Sequence, residues 1–304
     1  MAFAQGMAVG MADYERAAYP TKQKLFRALF ASLPTTAVPD QQQQQQQQQP
    51  TIVEIGIGSF PNALYYTPQL TDRDSTGLDI IGIDPNDRME GYAQDNAKKA
   101  GLRTNPLNSL RVVHGVSEAL PFDDHSVDAV VCSLTLCSVI DPRRSVAEIK
   151  RILKPQTGKF LFWEHVLSQT DPQRTSIYFH FLSCFLLLLM HSFSMTKWVN
   201  VWWHVDFARA LYGTYLSPSV FLCGISQSND LNSILVAVPK YSPVAADQIR
   251  MTPTQVIRAD GCHLDRVTGQ VILNEFGPAN VDLNYLELKN FGFLNPTVCG
   301  IATA

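Results

Sequence analysis

A chain of 304 residues with 46% apolar and 17% charged side chains can bury a substantial core, which excludes disorder throughout and leaves room for one large or two small domains. Its net charge of -3 gives no global attraction to nucleic acid or to an anionic membrane, so no nucleic-acid partner is expected. Six cysteines (Cys132, Cys137, Cys184, Cys223, Cys262 and Cys299) are widely spread with no CxxC pair, which points to a reducing, intracellular compartment, cytoplasmic or organellar. The first twenty residues lack the basic and then apolar pattern of a secretory signal.

Residues 1–40 form an N-terminal segment whose Leu25, Phe26, Leu29, Phe30 and Leu33 make one helical face, with Pro20 expected to begin a new segment. Glutamines 41 to 49, bracketed by Pro39 and Pro50, read as a linker spanning residues 41–50. From Thr51 short β-rich runs alternate with helical ones, the signature of a parallel sheet: Thr51 to Gly56, Asp79 to Asp84, Leu110 to His114, Val127 to Ser133 and Lys159 to His165 are the predicted strands. Between them, Asn86 or Asp87 is expected to cap a helix that ends at Gly101, with Glu90 completing a capping box. Asp141 caps a second helix with Pro142 in its first turn and an apolar stripe of Val146, Ile149, Ile152 and Leu153. Residues 51–173 therefore read as a core domain. Residues 251–304 add a helix from Asp265 to Phe276 and strands Val281 to Leu288 and Thr297 to Thr303, which could pair as a terminal hairpin.

The run Glu54-Ile55-Gly56-Ile57-Gly58-Ser59-Phe60 lies where the first strand turns towards its helix, the place where an open α/β sheet binds ligands. The dinucleotide fingerprint GxGxxG fails because Pro61 holds the third glycine position, which argues against a nicotinamide-dependent oxidoreductase. Asp84 ends the second strand, positioned to accept hydrogen bonds from the two ribose hydroxyls of an adenosine cofactor. Alone, such a residue is more often a helix cap; paired with the glycine turn on the adjacent strand it carries more weight.

In this order the segments ExGxG, IDPN, SEALPF, DAVVCSLTLCSV and LKPxxGKFLFWEHV resemble the class I S-adenosylmethionine-dependent methyltransferases of the type 11 group. There is a particular likeness to methyltransferase-like proteins of plants and algae, related to the animal membrane-associated thiol methyltransferases. The likeness covers about residues 12–38, 51–173 and 251–304, and includes the late ADGCHLDRVTG and FGFLNPTVCGIA. It implies a Rossmann-like α/β fold with parallel strands, a terminal antiparallel hairpin and helices on both faces. It also implies S-adenosylmethionine as cofactor and a small-molecule methyl acceptor, a thiol among the options. By position, Glu54, Gly56 and Gly58 would line the methionine part, Asp84 the ribose, Pro85 and Asn86 the adenine edge, Val116, Ser117 and Glu118 its far side, and Ser133 and Leu134 the sulfonium. Phe60 and Val116 depart from the pattern, standing where many members carry a third glycine and an acid.

Methyl transfer from a sulfonium is an in-line displacement, so alignment and exclusion of water matter more than a catalytic triad. A thiol acceptor would need only modest help from a base, for which His165 and His263 are the candidates. No His, Cys or Asp group has zinc spacing along the chain, so no metal is expected. Residues 174–250 interrupt the family pattern with a hydrophobic insertion. Ser176 to Met195 is about bilayer length without an acidic or basic residue other than histidine, and Trp198, Trp202 and Trp203 follow, so residues 176–203 offer membrane association as a functional reading. A single span would separate strands of one sheet, which leaves an interfacial segment, or an insertion without a role in the chemistry. A catalytically impaired cofactor-binding or membrane-associated protein of the same fold is the alternative function.

Overall fold

Strands buried on both faces must be apolar along their whole length, and TIVEI, DIIGID, AVVCS and KFLFWEH meet that condition. In the computed structural model, which describes residues 12–33, 49–67, 77–168, 243–259, 261–288, 291, 294 and 296–304, they form the centre of a sheet. The strands are β1 (Thr51–Ile55), β2 (Asp79–Asp84), β3 (Ser109–His114), β4 (Ala129–Ser133), β5 (Lys159–His165), β6 (Val281–Glu287) and β7 (Pro296–Thr303). Their order is β3-β2-β1-β4-β5-β7-β6. β1 to β5 are parallel, and β7 runs antiparallel to both β5 and β6. This is the expected α/β sheet with its terminal antiparallel pair.

The described helices are α1 (Ala12–Ser32), α2 (Met89–Lys99), α3 (Pro142–Ile152), α4 (Pro243–Arg258) and α5 (Thr268–Phe276). One face of the sheet packs Val53, Ile83, Val130 and Phe162 against Val146 and Ile149 of α3 and Ile272 and Phe276 of α5. The other packs Ile52, Ile80, Val131 and Leu161 with Phe26 and Phe30 of α1, Ala93 and Ala97 of α2, and Phe60 and Tyr66. The alternation of side chains along each strand thus sends one core to each face.

Five of the seven strands differ from expectation by one or two residues at one end, and three helices depart from it more informatively. α1 runs through Pro20 unbroken. Proline inside a helix costs about 3 kcal/mol, and contacts on both sides of it offset that cost. Before it, Tyr14 and Ala18 pack with Trp163 and Cys299; after it, Lys22 reaches back to Glu15 at 2.8 Å, and Phe26 and Phe30 enter the core. α2 starts at Met89 with Arg88 at the cap; of the two expected caps, Asn86 Oδ1 accepts from the Arg88 N–H at 3.2 Å, whereas Asp87 turns to His114 Nδ1 at 2.7 Å. α5 starts at Thr268 rather than Asp265, whose carboxylate faces His263. By contrast Asp141 caps α3 as expected, its Oδ1 accepting from the N–H groups of Arg143 and Arg144.

The chain divides into two compact units, Met1–Leu167 with Met251–Ala304, and Ser168–Arg250. Within the second, the Ser168 N–H donates to Gln248 Oε1 at 2.7 Å. The segments at 41–48 and 176–203 lie outside the described residues, and among the described residues no helix is long and apolar enough to cross a membrane.

Candidate active site

The order of strands reverses at β1, which lies between β2 and β4, and a crevice at such a point outside the carboxyl ends of the strands is where ligands bind in open α/β sheets. The turn leaving β1 takes left-handed backbone at Gly56 (φ 64°), Gly58 (φ 50°) and Phe60 (φ 58°). Gly56 and Ile57 both donate their N–H groups to the Ile83 carbonyl, at 2.8 and 3.2 Å, and Gly58 donates to Asp84 Oδ2 at 2.8 Å. Asp84 Oδ1 accepts from the Asn86 N–H at 2.9 Å. One carboxylate therefore joins the β1 turn to the β2 turn and shapes a backbone cradle between them. A β-carbon on Gly56 would lie 2.2 Å from Thr135 Oγ1, so only glycine fits beneath Thr135.

Phe60 keeps its left-handed conformation without being glycine because its ring is fully buried against Tyr66, 5.3 Å between centroids. For an L-residue that conformation costs about 1–2 kcal/mol, offset by burial of a whole phenyl ring.

Glu54 is 2% exposed, and both its oxygens are taken: Oε1 accepts from Asn62 Nδ2 at 3.0 Å and Oε2 from the Tyr66 hydroxyl at 2.7 Å. Burial pushes its carboxyl up to about 7 against these two donors. Lys22, itself buried, holds Asn62 Oδ1 at 3.2 Å and so props Glu54 from behind. Glu54 is thereby an anchor of the turn that leaves β1.

Pro85 and Asn86 are exposed just beyond the tip of β2. Val116 is 47% exposed, the one open side chain of its trio. Ser117 is buried on Ser145 Oγ at 2.7 Å, and Glu118 Oε1 accepts from the N–H groups of Ile140 and Asp141 at 2.8 and 3.2 Å. Those two side chains lock the loops around the crevice. At the end of β4, Ser133 and Leu134 are half-buried, and Leu134 (φ 56°) turns the chain while its N–H holds the Trp163 carbonyl at 2.8 Å.

The two histidines part company. His165, at the end of β5, is 8% exposed, and its Nδ1 lies 3.9 Å from Cys262 Sγ. The His263 side chain is 39% exposed and faces Asp265 at 3.8 Å, while its backbone N–H donates to the Cys137 carbonyl at 2.8 Å. Cys137, His165 and Cys262 converge in one buried group, which their spacing along the chain does not reveal. Their contact pushes the Cys137 thiol well above the usual range, and burial adds to it, whereas the same contact pulls the Cys262 thiol down. Sequence reasoning also missed Thr135, which roofs Gly56, donates from Oγ1 to the Ile55 carbonyl at 3.2 Å, and has its N–H on the buried Glu164 Oε1. The LTLC run containing Thr135 lies right after β4, and that position was the available signal.

Residues 53–162 match the family model described as a methyltransferase domain. This segment is a methyltransferase domain. The chain is similar to the rat thiol S-methyltransferase TMT1B, 34% identical over 124 residues, which are 40% of this chain and 44% of that protein. It is also similar to the uncharacterized methyltransferase YcgJ of Bacillus subtilis, 31% identical over 121 residues, 40% of this chain and 42% of that one. A solved SAM-dependent methyltransferase from Aquifex aeolicus aligns with a TM-score of 0.31 and 21% identity over 40% of this chain and 59% of that one. The chain spans less than half the length of the curated relatives it matches. The cofactor that the domain family and fold imply is S-adenosylmethionine, and the residues fit it: a left-handed glycine cradle that a β-carbon would fill, with a carboxylate at the neighbouring strand tip.

Proposed function

We propose that this chain is an S-adenosylmethionine-dependent methyltransferase acting on a small-molecule acceptor, and that the acceptor is a thiol. The observation that carries the reading is the Gly58 to Asp84 bond beside the Gly56 cradle, which brings an acid and a glycine turn together at the carboxyl ends of β1 and β2. The rat relative's name supports the thiol class.

In this reading Gly56 and Gly58 admit the methionine part of the cofactor to the backbone while Glu54 stiffens the turn beneath it. Asp84, at the tip of β2, accepts from the ribose hydroxyls. Pro85 and Asn86 edge the adenine, Val116 lies over its far side, and Ser117 and Glu118 hold the loop that carries Val116. Ser133 and Leu134 flank the reacting centre. The bound cofactor supplies an activated methyl group, so the protein contributes alignment and a water-poor cavity. His165, at the end of β5 in that cavity, is the acceptor-side polar group; His263 is the outer one.

The test is calorimetric titration with S-adenosylmethionine, with NADH as the control, followed by transfer of labelled methyl to a panel of small thiols, amines and hydroxyl compounds. Cofactor binding with label on thiols alone supports the full reading. Label on amines or hydroxyl compounds alone would replace the acceptor class and keep the enzyme. Absence of cofactor binding by folded protein would overturn both.

A further inference from the structure

We propose that Cys137, His165 and Cys262 form a binding site for a soft, thiolate-seeking cation of the zinc class. The three donor atoms lie within 4.8 Å of one another, and all three residues are buried. The two sulfurs are 3.4 Å apart, and Cys262 Sγ is 3.9 Å from His165 Nδ1. In a tetrahedral zinc site the corresponding edges follow from the metal–donor distances and are about 3.8 Å for sulfur to sulfur and about 3.6 Å for sulfur to nitrogen. These two edges differ from the tetrahedral values by a few tenths of an ångström, and the third, from Cys137 to His165, lies within the 4.8 Å span of the group.

A closed disulfide fits less well, since its sulfurs must approach to about 2.05 Å. Burial of two thiols alone would need no explanation, because free cysteine behaves as a small hydrophobe. The imidazole is what that account leaves over. His165 is more than nine-tenths buried, its Nε2 has no hydrogen-bond partner among the described residues, and its Nδ1 faces sulfur at a length where a hydrogen bond is weak.

The donors come from three separate segments held to one another by other bonds. Cys137 follows β4, His165 ends β5, and Cys262 sits in the loop before α5. The His263 N–H donates to the Cys137 carbonyl at 2.8 Å, and Arg266 Nη2 donates to the Val139 carbonyl at 2.6 Å and Nη1 to the Leu136 carbonyl, so the Cys262 loop is stapled to the turn that carries Cys137. Such outer support is what keeps a metal site organised before the ion arrives. Charge also balances: the two thiols release two protons, and their two thiolates neutralise a divalent cation, so no net charge is buried by the core of the site. Among the described residues no fourth His, Cys, Asp or Glu joins the group, and a three-donor zinc site keeps one position for a non-protein ligand.

The experiment uses the full chain, stripped with a chelator under reducing conditions and dialysed against zinc, with metal content read by elemental mass spectrometry. Cobalt(II) replaces zinc in a second arm for its thiolate charge-transfer absorption. About one equivalent of zinc is expected, together with that absorption band. Cys262→Ser and Cys137→Ser should each lower uptake at least tenfold while the thermal melt stays cooperative, and Cys299→Ser, buried outside the group, should bind as the parent does. His165→Ala supplies an independent donor loss should a serine variant fail to fold. No uptake by folded parent, uptake untouched by the variants, or a Cys137–Cys262 disulfide formed on mild oxidation in protein that takes up no zinc when reduced would each overturn the proposal.

Discussion

The Gly58 N–H donates to Asp84 Oδ2 at 2.8 Å, so the turn that leaves β1 and the tip of β2 are a single hydrogen-bonded structure. Asp84→Ala removes that acceptor, the acceptor for the Asn86 N–H, and in our reading the one for the cofactor ribose. A charge-assisted hydrogen bond is worth about 1.5–3 kcal/mol, so S-adenosylmethionine affinity should fall by roughly 10- to 150-fold. Asp84→Asn, which keeps one carbonyl oxygen, should lose less. Calorimetry on protein of unchanged circular dichroism decides it; affinity within a factor of two of the parent for Asp84→Ala would remove this carboxylate from the site.

Gly56→Ala places a methyl 2.2 Å from Thr135 Oγ1 and 2.5 Å from its Cγ2, at a φ of 64°. Left-handed strain of about 1–2 kcal/mol and overpacking of about 1–3 kcal/mol should both lower the denaturation midpoint. Thr135→Ala in the same chain deletes the two nearest atoms, leaving only its Cβ at 2.9 Å, and should restore most of the overpacking part while leaving the φ strain. Equal stability of the single and double variants would show that the clash relaxes by another route.

Glu54 should impose a pH dependence opposite to that of an ordinary ion-paired acid. Burial raises its carboxyl from the usual 4.5 to about 7, so the folded state holds a proton that the unfolded chain gives up. Stability from this group is fully present below about pH 4.5 and is lost as pH rises through about 7, to a total of about 3 kcal/mol. Glu54→Gln, which keeps the shape, should flatten that slope and gain most on the parent near pH 8. Urea titrations at pH 5, 6, 7 and 8 make the comparison, and parallel curves for the two proteins would refute it.

Tyr14→Phe tests how α1 is held. The Trp163 indole N–H donates to the Tyr14 hydroxyl at 2.9 Å, and both side chains are buried. Phenylalanine keeps the ring packing and strands the indole N–H, which should cost about 1–3 kcal/mol. A melt shift that instead follows only with Tyr14→Ala would assign the anchoring to packing.

Much of this protein is legible along the chain. The alternation of β-rich and helical runs, the cap at Asp141, the glycine turn after β1 and the acid ending β2 are local features, set by backbone φ and by side-chain periodicity within a few residues. Tertiary packing decided what spans distance. Pro20 leaves α1 intact because Tyr14 and Lys22 anchor the helix on either side of it. β7 rather than β6 takes the place beside β5, where it is buried on both faces while β6 forms the half-exposed edge. Phe60 can be left-handed because a core receives its ring. Cys137 and His165, 28 residues apart, meet Cys262, another 97 residues on, only because the ends of β4 and β5 and the loop before α5 share one corner of the fold. A pattern in sequence reports neighbours along the backbone; a group assembled from three segments leaves no spacing to read, since its distances are set by how the sheet is ordered and what packs on it.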